Sequence, residues 1–158
     1  MSDHCKNFMQ EAIRLSVTNV EEGKGGPFGA VVVKDGKIIA FGTNQVTANN
    51  DPTAHAEVVA IRNACTALNT FQLDGCEIYT SCEPCPMCLG AIYWARPDKL
   101  YYANSKEDAA NIKFDDQFIY EEIAKPVEER KLFTKQILRD EALVAFQKWS
   151  ESIVKTEY

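Results

Sequence analysis

Between residues 4 and 21 the apolar side chains of Phe8, Met9, Ala12, Ile13, Val17 and Val20 recur at helical spacing, with Lys6, Glu11, Arg14 and Glu21 between them. That spacing predicts an amphipathic helix with one face on a core. Gly23, Gly25 and Gly26 stop it. The pattern then changes to a continuous apolar run, Ala30-Val31-Val32-Val33, followed by Asp35-Gly36 and by Lys37 to Phe41. Asp-Gly between two such runs is the signal of a type I′ turn, so a hairpin is expected. A polar connection, Thr43 to Asp51, leads into a second helix over Ala54 to Leu68, with Val58, Ile61, Cys65 and Leu68 on its buried stripe.

Cys76 to Thr80 reads as a third strand, and a helix continues from the following cysteines through Leu89, Ile92 and Trp94 to Arg96-Pro97. Lys99 to Ala103 is a fourth strand, followed by short helices near 106–111 and over Gln117 to Ile123. Leu132 to Leu138 is expected as a fifth strand and Glu141 to Val154 as a closing helix. Strands alternating with helices indicate a layered α/β fold. No repeat, low-complexity tract or linker interrupts the pattern, so residues 1–158 read as a single domain.

At 158 residues the chain is long enough to bury a core without staples. No apolar run approaches bilayer length, and the N-terminal residues lack the features of a secretory signal. A cytoplasmic location is the default expectation, and six cysteines there are thiols or metal ligands rather than disulfides. The net charge of −6 leans away from a polyanionic partner, so no nucleic acid is expected, and toward a small molecule.

Candidate chemistry lies in two stretches. Ser81-Cys82-Glu83-Pro84-Cys85-Pro86-Met87-Cys88 holds three thiols, and Thr53-Ala54-His55-Ala56-Glu57 holds one of only two histidines. His55, Cys85 and Cys88 form the soft, tetrahedral-preferring set that Zn2+ takes, and three protein ligands leave one position open. Cys85 and Cys88, three apart, share a helix face, with Pro86 suited to the first turn. His55 and Glu57 would diverge on a regular helix, so they are expected at its very start. Two helix starts would then face each other across the metal, and Glu57 would move protons for a bound water.

The rival is a closed structural site of His55, Cys82, Cys85 and Cys88. Cys82 precedes the proline and falls off the shared helical face, and such a site has no use for a carboxylate beside its histidine. The role of Cys82 stays open on these grounds. Cys5, Cys65 and Cys76 read as plain thiols, two of them in core positions, and His4 as a solvated residue.

His55-Ala56-Glu57 with Pro84-Cys85-Pro86-Met87-Cys88 resembles the H-x-E…P-C-x-x-C signature of zinc-dependent nucleobase and nucleoside deaminases. Gly25 to Val31, Asn50 to Glu57, Tyr79 to Pro97, Phe114 to Tyr120 and the terminal Glu157-Tyr158 extend the resemblance to the small bacterial guanine deaminases. The resemblance implies hydrolysis of guanine to xanthine and ammonia, with one zinc per subunit. It implies a cytidine deaminase-like, three-layer α/β/α sandwich with a five-stranded mixed sheet. It also implies a homodimer in which a segment of about 140–158 crosses to the partner's active site.

By the same resemblance, Asn44 would hold the purine and Phe28 would pack on it, with Ala56 and Trp94 in the base-binding set. Asp116 would face the guanine edge and share proton transfer, and Tyr158 from the neighbouring subunit would close the pocket. Each has a plainer reading: Asn44 as a turn residue, Asp115-Asp116 as a helix cap, Phe28 and Trp94 as core, Tyr158 as a frayed end. Other readings keep the chemistry and change the substrate to cytosine, a tRNA adenosine or an amino-substituted ring such as a triazine. A non-catalytic, zinc-stabilised binding module is the rival of another class.

Overall fold

The computed structural model describes residues 3–158, with side chains from Cys5 onward, so His4 lies outside the described side chains. The chain resolves into two compact units, one ending at Asp116 and one spanning Gln117–Tyr158. In the first unit, helix α1 (Asp3–Glu21) leads into β1 (Gly29–Lys34) and β2 (Lys37–Thr43). A short helix α2 (Val46–Asn49) lies inside the polar connection. It is followed by α3 (Ala56–Leu68), β3 (Cys76–Cys82), α4 (Pro86–Ala95), β4 (Lys99–Asn104) and α5 (Lys106–Asn111).

The strands form a mixed sheet in the order β2-β1-β3-β4. β1 pairs antiparallel with both β2 and β3, while β3 and β4 run parallel. The hairpin turns at Asp35 and Gly36 with φ of 49° and 72°, the pair of positive values that a type I′ turn demands. Alternation along the strands then divides the core. Val31, Val33 and Tyr79 pack with Ala12 and Leu15 of α1. Ala30, Val32 and Ile78 pack with Ala56, Ala60 and Ala64 of α3 and with Ile92 and Ala95 of α4.

The small side chains on α3 let its backbone lie close on the sheet. Gly42 of β2 meets it there: a Cβ on Gly42 would collide with the carbonyl of Ala56 and the amide of Ala60. This close approach at the first turn of α3 fixes where the helix starts. Metal chemistry depends on that position, because His55 immediately precedes it.

The second unit contains α6 (Gln117–Ala124), a single 3-10 turn (Val127–Glu129) and α7 (Arg139–Glu151). The expected strand over Leu132 to Leu138 does not form, and the sheet has four strands rather than five. The apolar residues there fall at 132, 133, 137 and 138 rather than alternating, and Leu138 takes a left-handed φ of 52°. A residue in that region ends extension, and here it serves instead as the N-cap of α7. Within this unit Phe133, Phe146 and Ile153 remain 86%, 75% and 99% exposed. No helix among the described residues is long and apolar enough to cross a membrane.

Candidate active site

The loop before α3 is shaped by Asp51, whose Oδ1 accepts from both the amide and the hydroxyl of Thr53 at 2.8 and 2.7 Å. The amide of Gln45 donates to the carbonyl of Ala54, tying this loop to the end of β2. His55 follows with φ −71° and ψ 156°, extended, and its carbonyl accepts the first helical bond, from Val59. It is the N-cap of α3, yet its side chain makes no capping bond. Cys85 stands in the same relation to α4: φ −64°, ψ 167°, N-cap, no capping bond, and Pro86 at the first helical position. N-caps ordinarily spend their side chains on free amides. These two turn theirs toward each other.

Nδ1 of His55 lies 3.5 Å from Sγ of Cys85 and 3.5 Å from Sγ of Cys88. All three ligand atoms fall within 4.8 Å of one another. Zinc bonds of about 2.05 Å to nitrogen and 2.3 Å to sulfur, set at a tetrahedral angle, would separate N and S by about 3.6 Å. Both N–S separations therefore match those that zinc requires, as the sequence suggests. Cys82 takes no part, since its thiol faces the carbonyl of Ser105 at 3.5 Å. Burial pushes that thiol up to about 11, away from the thiolate a metal needs.

Without a metal, Cys85 and Cys88 divide the charge unequally. The hydrogen bond from Cys88 brings Cys85 down to about 4, against the effect of burial and with help from His55. The same hydrogen bond, reinforced by burial and the charge of Glu57, holds Cys88 protonated. His55 is raised above its ordinary value, chiefly by its hydrogen bond to Cys85, which outweighs burial.

Glu57 is the second residue of α3 and is buried among these groups. The hydroxyl of Thr80 donates to its Oε1 at 3.3 Å, and the Cys88 thiol, whose single proton is shared between this carboxyl and Cys85, lies 3.4 Å from Oε2. Burial is the main cause of an upward shift in its pKa, so this carboxyl is inclined to hold a proton. A carboxyl of that kind beside a metal cluster can accept a proton from water and give it back to a substrate.

Asn44 closes β2 and is buried. Its backbone N–H donates to the carbonyl of Phe28 at 3.1 Å, and its side-chain Oδ1 accepts from the backbone amides of Gly26 and Val46. Phe28 is half-buried and meets Phe114 edge to face, with ring centroids 5.0 Å apart. Ala56 is fully buried at the start of α3. Asp116 has its carboxyl raised by burial and then by the negative charge of Cys85, which places it within electrostatic reach of the cluster. Trp94 is 64% exposed, off the α4 face that carries Cys88, Ile92 and Ala95. Tyr158 is exposed at the end of the second unit.

Sequence reasoning missed Thr80 and Phe114 as contacts of this site. The strand alternation carried a usable signal for Thr80: it shares a face with Cys76 and Ile78, and that face packs on the helix bearing Glu57. None of the six cysteines is in a disulfide, and Cys76 is buried and Cys65 half-buried against the core.

A family model, the cytidine and deoxycytidylate deaminase zinc-binding region, matches residues 2–104. The guanine deaminase of Bacillus subtilis is 58% identical over 153 residues, covering 97% of this chain and 98% of that protein. An X-ray structure of guanine deaminase from the same species superposes with a TM-score of 0.95 at 56% identity, over 100% of this chain and 99% of that one. A tRNA-specific adenosine deaminase from Aquifex aeolicus is 44% identical over 96 residues, 61% of this chain and 63% of that protein.

Proposed function

The chain belongs to the cytidine and deoxycytidylate deaminase zinc-binding family, and we propose guanine as the base that it deaminates. The observation that carries this reading is the 58% identity to a guanine deaminase, sustained through 97% of the chain. On this reading the enzyme is a hydrolase of purine metabolism that acts on the C–N bond of a cyclic amidine. Guanine and water give xanthine and ammonia, the 2-amino group being replaced by oxygen.

His55, Cys85 and Cys88 hold one zinc per chain, which when bound lowers the pKa of a coordinated water toward neutrality. Glu57 takes the two protons of the attacking water in turn, delivering one to a ring nitrogen and the other to the departing ammonia. Its burial and raised pKa suit a group that must hold a proton between these transfers. Thr80 keeps one of its oxygens occupied and so fixes the rotation of the carboxyl.

Asn44 and Phe28 bind the ring beside Ala56. Asp116 accepts from N1–H and the 2-amino group, two donors meeting two carboxylate oxygens, and shares in proton transfer. The protein works as a homodimer in which residues about 140–158 cross to the partner and bring Tyr158 over the partner's pocket. The unburied apolar side chains of the second unit support this, since a working protein leaves few such patches uncovered. Trp94 belongs to the same base-binding set as Asn44 and Phe28.

The test is an ammonia-release assay with bound zinc quantified. Guanine, cytosine, adenine, cytidine and an adenosine-containing anticodon stem-loop are compared at equal concentration. Turnover of guanine alone is expected. Inert guanine with another base turned over would leave the zinc chemistry standing and remove the assignment of the pocket.

A further inference from the structure

We propose that Asn19, on α1, is a positioning residue for the base: it pins the strand end that carries Asn44 and so fixes Asn44 with its amide nitrogen free for the ring. The proposal rests on the reading of Asn44 as the residue that holds the purine. Asn19 is a polar side chain only 2% exposed, on a helix that also buries Ala12, Leu15 and Ser16. Its Nδ2 donates to the carbonyl of Gly26 at 2.9 Å and to the carbonyl of Asn44 at 3.0 Å. One amide group thus clamps the glycine loop after α1 to the end of β2.

That clamp determines which way Asn44 faces. With the loop held, the Gly26 amide donates to Oδ1 of Asn44 at 3.3 Å, and the Val46 amide donates to the same oxygen at 3.4 Å. Two backbone donors require an oxygen there, so the amide cannot be turned the other way round. Both hydrogen bonds of the Asn44 side chain fall on Oδ1, and no buried polar side-chain atom among the described residues lacks a partner. Nδ2 therefore reaches solvent, although the residue as a whole is 6% exposed. With its oxygen tied down, Asn44 offers a ligand only N–H donors, and the ring edge it meets must present an acceptor, a carbonyl oxygen or an unprotonated ring nitrogen.

The clamp is also tight. A Cβ on Gly25 would run into the carbonyl oxygen of Asn44 and come within 3.1 Å of Nδ2 of Asn19. Gly25→Ala thus disturbs the same joint without altering Asn19.

The test is steady-state kinetics of zinc-loaded Asn19→Ala, Asn44→Ala, the double variant and Gly25→Ala. A lost hydrogen bond acting on binding alone should raise KM for guanine by roughly five- to thirtyfold in Asn19→Ala, with kcat changed by less than about twofold. Gly25→Ala should show the same split. In the Asn44→Ala background, Asn19→Ala should add nothing further. An equal KM increase in both backgrounds, or a fall in kcat at constant KM, would overturn the proposal. Should Asn44→Ala leave KM unchanged, Asn44 does not hold the base and the proposal falls with that reading. Should Asn44→Ala raise KM while Asn19→Ala and Gly25→Ala do not, the clamp alone is wrong.

A measurement on the unaltered protein covers the case in which these variants fail to fold. The side-chain amide signal of Asn44 in a nitrogen-15 spectrum should move when xanthine is added to the zinc-loaded enzyme. A signal that stays in place at saturation would overturn the proposal.

Discussion

The hydroxyl of Thr80 donates to Oε1 of Glu57 at 3.3 Å, from a strand to a helix, with Thr80 fully buried and Glu57 nearly so. The second contact of this carboxyl, from the Cys88 thiol to Oε2, uses a proton that Cys88 must give up to become a zinc ligand. In the loaded enzyme Thr80 is thus the donor that remains. Thr80→Val keeps the shape and deletes the hydroxyl. A hydrogen bond to a charged group contributes about 1.5–3 kcal/mol, so kcat should fall roughly ten- to a hundredfold. KM and zinc content should hold, and Thr80→Ser should recover most of the rate. A change confined to KM would show that Thr80 does not act through Glu57.

Glu57→Gln separates the proton carrier from the metal site. A neutral amide cannot accept and return a proton, so turnover should drop by about 10²–10⁴ while one zinc per chain is retained. Folding stability should hold or rise, because burial raises the pKa of Glu57 and so favours the neutral form, and the amide is neutral at every pH. Metal analysis with ammonia release checks the first expectation, and thermal unfolding the second. Turnover unchanged in the presence of zinc would show that Glu57 is not the proton carrier.

How this site was legible in the sequence, and where it was not, follows from the range of the interactions involved. The hairpin turn, the helix starts at His55 and Cys85, and the convergence of His55 with two thiols depend on local spacing, and each stands as the sequence suggests. The ambiguity at Cys82 required three dimensions, because what draws its thiol away is a carbonyl 23 residues downstream, on Ser105. Asn19 reads in sequence as one more polar residue on an amphipathic helix, and only the folding of Gly25-Gly26 back over it makes it buried. The expected fifth strand failed for a related reason. β-branched and aromatic content can suggest extension, but a strand also needs alternation and a neighbour, and Leu132 to Leu138 have neither in their own unit.

Zinc retention should depend on pH with a changing slope. Metal binding releases whatever protons its ligands hold. Cys85, near 4, holds none at neutral pH, whereas Cys88 is raised and gives up one throughout that range. His55 is raised above 6.5, so below its shifted value a second proton must leave before Nδ1 can bind. The logarithm of the zinc association constant should rise by about one per pH unit on the alkaline side and by about two on the acid side of that value. Competition with a chromogenic chelator between pH 5.5 and 8.5 measures this. A uniform slope of one across the range would mean that His55 carries no proton in the metal-free protein.

The crossing of the C-terminal segment is tested by mixing two chains, each crippled in a different place. Glu57→Gln lacks the proton carrier but has an intact tail; Tyr158→Ala has the carrier and an altered tail. If residues about 140–158 close the partner's pocket, random pairing makes half of the dimers mixed, and each mixed dimer has one site with both elements intact. Refolding the two together should then restore about a quarter of the wild-type activity, well above the average of the parents. Sedimentation at micromolar concentration should show a dimer, as expected for a unit that leaves Phe133 and Ile153 uncovered on its own. A dimer without complementation would mean that each tail serves its own site. A monomer with full activity would remove the crossing altogether, and the apolar surface of 132–158 would then need a different cover.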